Sequence, residues 1–512
     1  MKKNLSLTLK RIVVSTLVVC LLASTLIVFA GCSDTKETKY VYKYEPPIYN
    51  NTQDVKKAII ILPGAFGSNL INDKTNEPLW SGGALMNNLF MTRDRLSMEE
   101  ITGFFKSFME KDDKGNNVNP VRAANMNDQY LQFGLIDEYR NLYKYFNNNY
   151  GKDSKLPDAD KYDVLVYQYD WTKSAKDSAL ELEQFVKANK YEQNILVGHS
   201  LGGIVIDYYL TNEANRNITD GFISLGTPHY GIMDTLLMGF ASANLTAFDL
   251  PNILDLLGLT MDEVMSLMDS MGGLNLKDKL PLEFKDKPLE FVKSLATEMM
   301  SLFRGMPSLY DMMPSKELFD DGNIKINNES ITYDEFIQKA SLIPAIKDNV
   351  KTKLAFETAV NNRKELYIGT EQTFVAEIFN NNTYYIAGQG KKDTLNTTSL
   401  NFILGKDNSL NIKPNKENIK RSNSFVEHKV EIEGEIYVNY LPQNVGDSIV
   451  LIKSATLSKP DSEANVTYLK GFFDHIDLYS PVSVKDGSHF LPIMEPNEIG
   501  DTLKDAMKHF GL

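Results

Sequence analysis

Cysteine is nearly absent from this chain of 512 residues. Cys20 and Cys32 are the only two, so no disulfide framework is possible and no set of cysteines is available to hold zinc. The sequence also contains no H-E-x-x-H pair, no G-x-G-x-x-G turn and no P-loop, which are patterns that bind a catalytic zinc ion, a dinucleotide or a nucleoside triphosphate. We therefore expect neither a metal nor a cofactor.

Positive charge is scarce as well. Lysine and arginine number 54 against 67 aspartates and glutamates, which gives a formal charge of −13, and no basic stripe is visible, so nucleic acid is not expected as a partner. With 43% hydrophobic and 24% charged residues, the composition is that of a globular protein with a large core. It excludes intrinsic disorder and a multi-span membrane protein. Nothing in the sequence indicates the oligomeric state.

The sequence of the N-terminus predicts a targeting signal and a polar tether rather than a folded domain. Four basic residues within the first eleven precede an uncharged run over 12–30, followed by Gly31-Cys32; this is the order of a secretory signal. The end of the run resembles the lipobox of bacterial lipoproteins, in which the cysteine is acylated, although Phe29 stands where Leu, Val or Ile is preferred. We predict a signal peptide over 1–31, a lipid on Cys32 and a polar tether over 32–53. The alternative is an uncleaved single-span anchor, and both leave the folded part outside the bacterial cytoplasm and tied to a membrane.

Short, continuous apolar runs alternate with stretches of helical pattern along the rest of the chain. Such runs are typical of strands buried on both faces of a parallel sheet, and their alternation with helices favours an α/β fold. We predict one α/β core over 54–230 and 367–512, interrupted by a mainly helical, methionine-rich insertion over 231–366. The predicted strands are Ala58–Leu62, Tyr162–Tyr167, Asn194–Val197, Gly221–Leu225, Thr383–Ala387 and Glu435–Asn439, and a helix is predicted over Ala175–Lys187.

A G-x-S-x-G motif stands between a predicted strand and a predicted helix. Gly198-His199-Ser200-Leu201-Gly202 precedes the apolar stretch 204–210, which is the context that a nucleophile elbow requires. There the serine takes a strained backbone conformation, glycines allow close packing, and Oγ stands near a helix N-terminus. We predict Ser200 as a nucleophile, with an inert Gly-rich turn as the alternative. His199 is expected to pack beneath the turn.

The turn after the first predicted strand is the second candidate element of a site. An acyl-transfer intermediate needs two amide donors aimed at its oxyanion, one from the residue after the nucleophile and one from an early loop. Leu201 meets the first condition and the loop Pro63–Ser68 meets the second. We predict an oxyanion hole formed by the amides of Ala65 and Leu201. Phe66 is the alternative to Ala65 and a predicted substrate-binding side chain.

With these motifs the chain resembles the lecithin:cholesterol acyltransferase-like lipases of the α/β-hydrolase fold. The resemblance implies a mostly parallel sheet flanked by helices, a large cap or lid insertion, and a lipid or other acyl ester as substrate. Two departures stand out: Ser448 and Ile449 interrupt the family's Gly-Asp-Gly-Thr-Val, and the cysteine-closed lid loop of the animal enzymes is absent. Besides the elbow, the matching segments are Ile61–Gly64, Gly67–Leu70, Tyr169–Trp171, Ile223–Pro228, Pro307-Ser308, Met313-Pro314, Tyr384–Gly390 and Gly446–Val450.

The resemblance also implies Asp447 as the acid of a catalytic triad. In this fold the triad runs Ser, Asp, His along the chain, so the base should lie beyond residue 447. We predict His489, which stands in a loop before a plausible final helix over 496–507, because a loop histidine can turn Nε2 towards the serine while the acid holds Nδ1. The alternatives are His475 and His509 for the base and Asp474, Asp477 and Asp486 for the acid.

Two further features predict contacts with the substrate. His229 follows Pro228 near the expected active face and is predicted to line the pocket. Met261, Met265 and Met268 recur at helical spacing within the insertion, and flexible, polarizable methionine suits acyl chains of varying length. We predict that this stripe forms the apolar face of a cap; the alternative is a buried core face.

Together, these patterns predict a membrane-anchored, extracytoplasmic serine hydrolase that cleaves acyl esters of lipids. A lipid O-acyltransferase with the same triad is the first alternative, since only the acceptor, water or an alcohol, separates the two reactions. A non-catalytic surface lipoprotein that binds a ligand on a hydrolase scaffold is the second alternative. The intact Ser, Asp and His candidates disfavour it.

Overall fold

The computed structural model describes most of the chain beyond residue 42. The predicted signal, Cys32, most of the tether, the methionines at 261–268, His475 and His489 lie outside the described residues. No helix in the described part is both long enough and apolar enough to cross a membrane. The described residues are 43–49, 55–81, 97–124, 138–240, 281–284, 294, 298–299, 301–327, 329–341, 343–389, 395–402, 413–414, 432–433, 436–442, 446–447, 449–469, 478, 482–485, 493–496 and 498–512.

Strands and helices are numbered along the described chain. The strands are β1 (Lys57–Leu62), β2 (Leu70–Asn72), β3 (Pro78–Trp80), β4 (Val121–Ala123), β5 (Asp163–Val166), β6 (Gln193–His199), β7 (Thr219–Leu225), β8 (Ile324–Ile326), β9 (Glu329–Ser330), β10 (Tyr367–Ile368), β11 (Thr373–Phe374), β12 (Thr383–Gly388), β13 (Leu395–Phe402), β14 (Lys413–Pro414), β15 (Ile432–Glu433), β16 (Ile436–Pro442), β17 (Val466–Leu469), β18 (Val482–Lys485) and β19 (Ile493–Pro496). The helices are α1 (Met98–Met109), α2 (Glu138–Asn149), α3 (Ala175–Ala188), α4 (Leu201–Tyr209), α5 (Glu213–Asn217), α6 (Asp234–Phe240), α7 (Pro307–Asp311), α8 (Lys316–Phe319), α9 (Tyr333–Ala340), α10 (Pro344–Lys347), α11 (Val350–Arg363), α12 (Val375–Ile378), α13 (Ile452–Ala455) and α14 (Glu498–His509).

The central sheet has six strands, all parallel, in the spatial order β5-β1-β6-β7-β12-β17. Five of them confirm predicted strands, because each contains an apolar run that is largely buried in the sheet. The sixth, β17, is absent from the prediction. Two of its four residues are only half-buried, so its sequence lacks a continuous apolar run.

Helices cover both faces of the sheet. In β1, Ile59 and Ile61 face a layer formed by α2 and α14, whereas Ile60 and Leu62 face a layer that contains α3 and α4. This alternation follows from the two-residue period of a strand. The helices predicted over 175–187 and 496–507 are confirmed as α3 and α14. The predicted α/β class, a mostly parallel sheet flanked by helices, is therefore correct.

The sixth predicted strand, Glu435–Asn439, exists in part but belongs to a different sheet. Strand β16 covers most of it and pairs antiparallel with β13 in a four-stranded sheet of order β16-β13-β8-β9. Antiparallel pairing with β13 needs no helical crossover, whereas a place in the parallel sheet would need one.

The described part of 231–366 is mainly helical and packs against the core. Phe240 of α6 makes edge-to-face contacts with Tyr310, Phe336 and Phe356, which lie on α7, α9 and α11. On α7, Asp311 accepts a 2.7 Å hydrogen bond from the amide of Ala175, the first residue of α3. This part therefore extends the helical layer beside α3, while β8 and β9 contribute to the second sheet.

Candidate active site

Ser200 lies between β6 and α4 in a strained backbone conformation. Its φ is 53° and its ψ is −125°, a region that non-glycine residues occupy only when their surroundings enforce it. Its amide donates a 3.1 Å hydrogen bond to the carbonyl of Leu225 in β7. A Cβ on Gly198 would lie 2.7 Å from Gly203 Cα, and one on Gly202 would collide with the carbonyl of Leu62. The strand-to-helix turn that the motif predicts is present, and its glycines are required by contact distances.

The loop Pro63–Ser68 lies against this serine. A Cβ on Gly64 would lie 2.9 Å from Ser200 Cβ, so the loop and the elbow are in van der Waals contact. The Gly64 amide donates to the Tyr139 hydroxyl at 2.8 Å. Within the described part of the chain, the amides of Ala65, Phe66 and Leu201 have no hydrogen-bond acceptor. Donors without partners beside a strained serine are what an oxyanion hole requires.

Three aromatic side chains fix the backbone of this loop. The Tyr169 hydroxyl donates to the Pro63 carbonyl at 2.7 Å, and the Trp171 indole donates to the Ser68 carbonyl at 3.2 Å. The indole of Trp80 donates to the Phe66 carbonyl at 2.9 Å. The segment Tyr169–Trp171, which carries part of the family resemblance, therefore acts by holding the loop that touches Ser200.

Asp170, between those two aromatic residues, is buried in a polar cluster of its own. Its carboxylate accepts hydrogen bonds from the Thr172 amide and hydroxyl at 3.0 and 2.6 Å and from Asn117 at 2.9 Å. Burial alone would raise the pKa of Asp170, but the nearby ammonium groups of Lys111 and Lys173 and these hydrogen bonds outweigh it, so the pKa is lowered. Burial in turn lowers the pKa of Lys111 to about 8. The cluster anchors the segment Tyr169–Trp171 that holds the loop.

Phe66 is half-buried, with φ 64°. Its ring centroid lies 4.5 Å from that of Trp171, 5.9 Å from that of Trp80 and 5.7 Å from that of Phe303. Phe303 belongs to the 231–366 segment, so the predicted substrate-binding side chain connects the loop to that segment. Whether Phe66 contacts substrate stays a prediction.

Asp447 lies in a buried turn that holds its carboxylate. Oδ1 accepts hydrogen bonds from the amides of Ile449 at 3.2 Å and Val450 at 2.8 Å, and the Asp447 amide donates to the Val450 carbonyl at 3.1 Å. The amides of Ile449 and Val450 are therefore directed at the carboxylate, despite the departure from the family's sequence pattern. The side chain is about 1% exposed, which suits an acid that must hold an imidazole away from water.

The turn with Asp447 is attached to the loop that follows β7. Ser454 of α13 accepts a 3.1 Å hydrogen bond from the Tyr230 amide and donates a 2.8 Å one to the Gly231 carbonyl. Strand β7 pairs with β6 up to His199 opposite Leu225. Asp447 and Ser200 are thus both tied to the carboxyl edge of the same pair of strands, where α/β folds place their sites.

Of the three candidate bases, only His509 lies among the described residues. His489 and His475 lie outside the described residues. Strands β18 and β19, which precede and follow His489 along the chain, pair antiparallel. His509, on α14, contacts the carbonyl of Asn381 at 3.0 Å through Nε2. Asn381 precedes β12, so His509 stands at the amino edge of the sheet, opposite Ser200. This position removes His509 as a base.

His229 is buried within the core. Its Nδ1 lies 2.7 Å from Asp207 Oδ2 and its Nε2 3.0 Å from Ser224 Oγ, and the side chain is 0% exposed. Burial raises the pKa of Asp207, although His229 and Arg363 act in the opposite direction. The chain Ser224–His229–Asp207 connects β7 to the elbow helix α4. The role of His229 as a pocket residue stays a prediction, and it would need a rearrangement, because both ring nitrogens already have partners.

Among the residues that hold the site, Tyr139, Asp207 and Ser454 are examples that the sequence does not predict. Each contacts a segment at least 22 residues away along the chain, and none stands in a motif. Tyr139 shares a helical apolar spacing with Leu142 and Phe146, which predicts a core position and nothing more. Among the described residues, no group of three or more His, Cys, Asp or Glu side chains could hold a metal ion.

A parallel sheet with a strained serine at a strand-to-helix turn defines an α/β-hydrolase. The family model of lecithin:cholesterol acyltransferase matches residues 130–456, which is well over half of the chain and includes the elbow and Asp447. The protein therefore belongs to the lecithin:cholesterol acyltransferase family, and this membership supports a lipid-acting acyl hydrolase or acyltransferase. The matched range contains neither the loop Pro63–Ser68 nor His489.

One solved structure with a similar chain is the crystal structure of a Tle4–Tli4 complex. The similarity covers 90% of this chain and 99% of that chain, with 12% sequence identity and a TM-score of 0.46. No curated protein matches the sequence.

Proposed function

We propose that this protein is a serine hydrolase that cleaves acyl esters of lipids through a covalent acyl-enzyme. The observation that carries the proposal is the strained Ser200 with Gly64 packed on it, together with the amides of Ala65, Phe66 and Leu201, which have no acceptor among the described residues. Such donors are worth most where charge develops in the transition state. Membership in a family of lipid acyl hydrolases and acyltransferases supports the same chemistry.

In the proposed reaction Ser200 Oγ attacks the ester carbonyl carbon and its proton passes to Nε2 of His489. The carbonyl oxygen becomes an oxyanion that accepts hydrogen bonds from the amides of Ala65 and Leu201. His489 then gives the proton to the departing alcohol, and the acyl group stays on Ser200. Water, activated by the same histidine, attacks the acyl-enzyme and releases the fatty acid. Asp447 orients His489 and stabilises its imidazolium form.

Lipid O-acyl transfer is the second candidate, and the family match favours it specifically because the family is described by that activity. The acylation half of the reaction is unchanged. An alcohol takes the place of water in the second half, so the product is a new ester rather than a free acid. Which acceptor reaches the acyl-enzyme decides between the two activities.

The site is tested by active-site labelling. A fluorophosphonate probe should label the protein once, at Ser200, because an activated serine reacts with it and ordinary serines do not. Ser200→Ala should abolish labelling and reduce ester turnover by at least ~10³-fold. Turnover that persists in this variant would exclude Ser200 as the nucleophile.

The reaction is tested by product analysis. Defined phospholipid, triacylglycerol and short-chain esters are incubated with the protein, with and without a long-chain alcohol. Free fatty acid in both conditions supports hydrolysis, and a new ester in the presence of the alcohol supports transfer. A protein that binds these lipids without converting them would instead be a binding lipoprotein on a hydrolase scaffold.

We further propose that a lipid on Cys32 holds the enzyme at the outer side of a bacterial membrane, close to its substrate. The methionines at 261, 265 and 268 are proposed to receive the acyl chain, since their flexible thioether side chains adapt to different chain lengths. Replacing the three by serine should then impair turnover of long-chain esters far more than turnover of acetate or butyrate esters.

A further inference from the structure

The hydroxyl of Tyr139 connects the two elements that meet at Ser200. It accepts the amide hydrogen of Gly64 at 2.8 Å and lies 2.7 Å from Nδ1 of His199. Gly64 belongs to the loop Pro63–Ser68, and His199 directly precedes Ser200 in the elbow. Tyr139 and His199 are 5% and 4% exposed, so little water competes for these contacts.

The chemistry of the three groups determines which of them donates and which accepts in these two hydrogen bonds. A backbone amide can only donate, so the Tyr139 oxygen accepts from Gly64. The hydroxyl hydrogen is then directed at His199 Nδ1, which can accept it when that nitrogen carries no proton. The two hydrogen bonds therefore connect the Gly64 amide to the His199 imidazole through the Tyr139 hydroxyl, which accepts one bond and donates the other.

The loop packs closely against both Tyr139 and the elbow. A Cβ on Gly64 would lie 2.9 Å from Ser200 Cβ and 3.0 Å from His199 Nδ1, and one on Gly67 would lie 3.1 Å from Tyr139 Cε2. The amide next to Gly64 is that of Ala65. The Ala65 amide shares its planar peptide group with the Gly64 carbonyl, which accepts a 3.0 Å hydrogen bond from the Gly67 amide. This bond and the bond from the Gly64 amide to Tyr139 hold Gly64 on both sides and so restrict where the Ala65 amide can point.

We propose that Tyr139, together with His199, is a positioning pair that aims the Ala65 amide at the oxyanion. This role rests on the proposed function, because it concerns the same serine and the same transition state. Neither side chain touches the reacting atoms. Their effect is to keep the oxyanion donor in place as negative charge develops, since such donors act only when they are already oriented.

The test compares two tyrosines of the same helix. Tyr139→Phe removes the hydroxyl bridge and keeps the ring. Tyr145→Phe, also on α2, removes a hydroxyl that donates to the Gly500 carbonyl at 2.7 Å, away from the loop, and serves as the matched control. Two inhibitors distinguish an effect on the oxyanion donor from a general loss of stability. An alkylboronic acid forms a tetrahedral adduct on serine, whereas a non-hydrolysable ether analogue of the ester resembles the bound substrate.

In Tyr139→Phe we expect kcat to fall and the inhibition constant of the boronic acid to rise by about tenfold, below the 10²–10³ effect of deleting an oxyanion donor outright. KM and the dissociation constant of the ether analogue should stay within about twofold. Tyr145→Phe should lower the thermal midpoint to a similar extent without changing the boronic acid constant. An unchanged boronic acid constant in folded Tyr139→Phe, or an equal loss of boronic acid and ether binding, would overturn the proposal.

If Tyr139→Phe does not fold, a second pair of variants tests the same proposal. His199→Asn retains an acceptor near the position of Nδ1, whereas His199→Leu retains none. We expect the Leu variant to reproduce the loss of boronic acid binding and the Asn variant to retain most of it. Equal behaviour of the two would contradict the positioning role. A wild-type protein that neither hydrolyses esters nor binds the boronic acid would refute the proposed function itself, which is a different result.

Discussion

At Ser200 the backbone conformation costs free energy, about 1–3 kcal/mol for a non-glycine residue held in such a region. That cost is offset by the surroundings: the Ser200 amide is bonded to Leu225 in β7, and Gly198, Gly202 and Gly64 allow three backbone segments to approach closely. The geometry of the nucleophile is therefore a property of its small neighbours as much as of the serine.

Gly64→Ala tests this dependence directly. Its new Cβ would lie 2.9 Å from Ser200 Cβ, so the loop must shift by a few tenths of an ångström and carry the Ala65 amide with it. We expect at least a tenfold fall in kcat and a loss of about 1–3 kcal/mol in unfolding free energy. Gly103→Ala on α1, where a Cβ meets nothing within 4 Å, is the control and should stabilise the protein slightly. Full activity in Gly64→Ala would show that the loop does not serve the serine.

The choice of base is decided by a pair of alanine substitutions. His489→Ala should reduce turnover nearly as much as Ser200→Ala, because the members of a triad act as a unit. His475→Ala should retain most activity. Both are measured as kcat/KM on a soluble short-chain ester, alongside the rate of fluorophosphonate labelling. If the two histidines exchange these outcomes, the base is His475 and the role of Ser200 is unaffected.

How well the sequence predicts a residue depends on how locally its role is set. The elbow is predicted because glycine, serine and the flanking strand and helix stand together within about a dozen residues. Tyr139 and Asp207 are not, because their contacts arise only when segments 75 and 22 residues apart are brought together. For His229 the sequence indicates the right neighbourhood, the loop after β7, but the pairing that buries its ring nitrogens depends on α4.

At the scale of elements, a buried carboxylate joins α7 to α3. Asp311 is 3% exposed and accepts the amide hydrogen of Ala175 at the start of α3, where the helix dipole favours a negative charge. Burial nevertheless dominates and raises the pKa of Asp311 to about 7; Asp177 adds to the rise, while the Ala175 amide and Arg363 oppose it. Protonation of this one group should therefore affect how firmly the helices beside α3 hold the core.

Asp311→Asn should flatten the pH dependence of stability. Between the ordinary pKa of 3.8 and the folded value of about 7, the native state holds a proton that the unfolded chain has released, so this group makes unfolding free energy fall as pH rises. The asparagine keeps an oxygen for the Ala175 amide but does not titrate. The unfolding free energy of wild type minus that of the variant should fall from pH 4 to pH 7 and stay level above it.

Urea unfolding at closely spaced pH values measures this difference. Asp113→Asn, at an exposed position, is the control, because its surroundings change little on unfolding. A difference between wild type and Asp311→Asn that is independent of pH would show that Asp311 is already ionised in the folded protein.

A strand or helix is predictable from the sequence to the extent that a short, continuous run of apolar residues marks its buried positions. Five strands of the parallel sheet have apolar runs that are largely buried, and these are the ones predicted. Edge strand β17 is not predicted, since half-buried residues interrupt its apolar run. In the second sheet, the strand over Glu435–Asn439 is predicted but its partners are not. Strand β8 pairs with β13, about seventy residues further along, a partnership that no local pattern can indicate.

At the scale of the whole molecule, charge and anchoring have to be considered together. The chain carries a net charge of −13, and its first eleven residues contain four of its basic side chains. Removing 1–31 would leave the mature protein still more acidic, so electrostatic attraction to anionic lipid cannot hold it at a membrane. This is why we propose a covalent or spanning anchor at the N-terminus rather than electrostatic binding.

Cys32→Ser distinguishes these anchors. In bacteria grown with an alkyne-tagged fatty acid, wild-type protein should carry the tag and sediment with membranes, whereas the variant should lack the tag, because serine offers no thiol for acylation. The mass of the wild-type N-terminal peptide should match a peptide that begins at a lipid-modified Cys32. A membrane-bound wild-type chain that carries no tag and retains residues 1–31 would show that the apolar run over 12–30 is itself the anchor, since its 19 residues are just long enough to cross a bilayer.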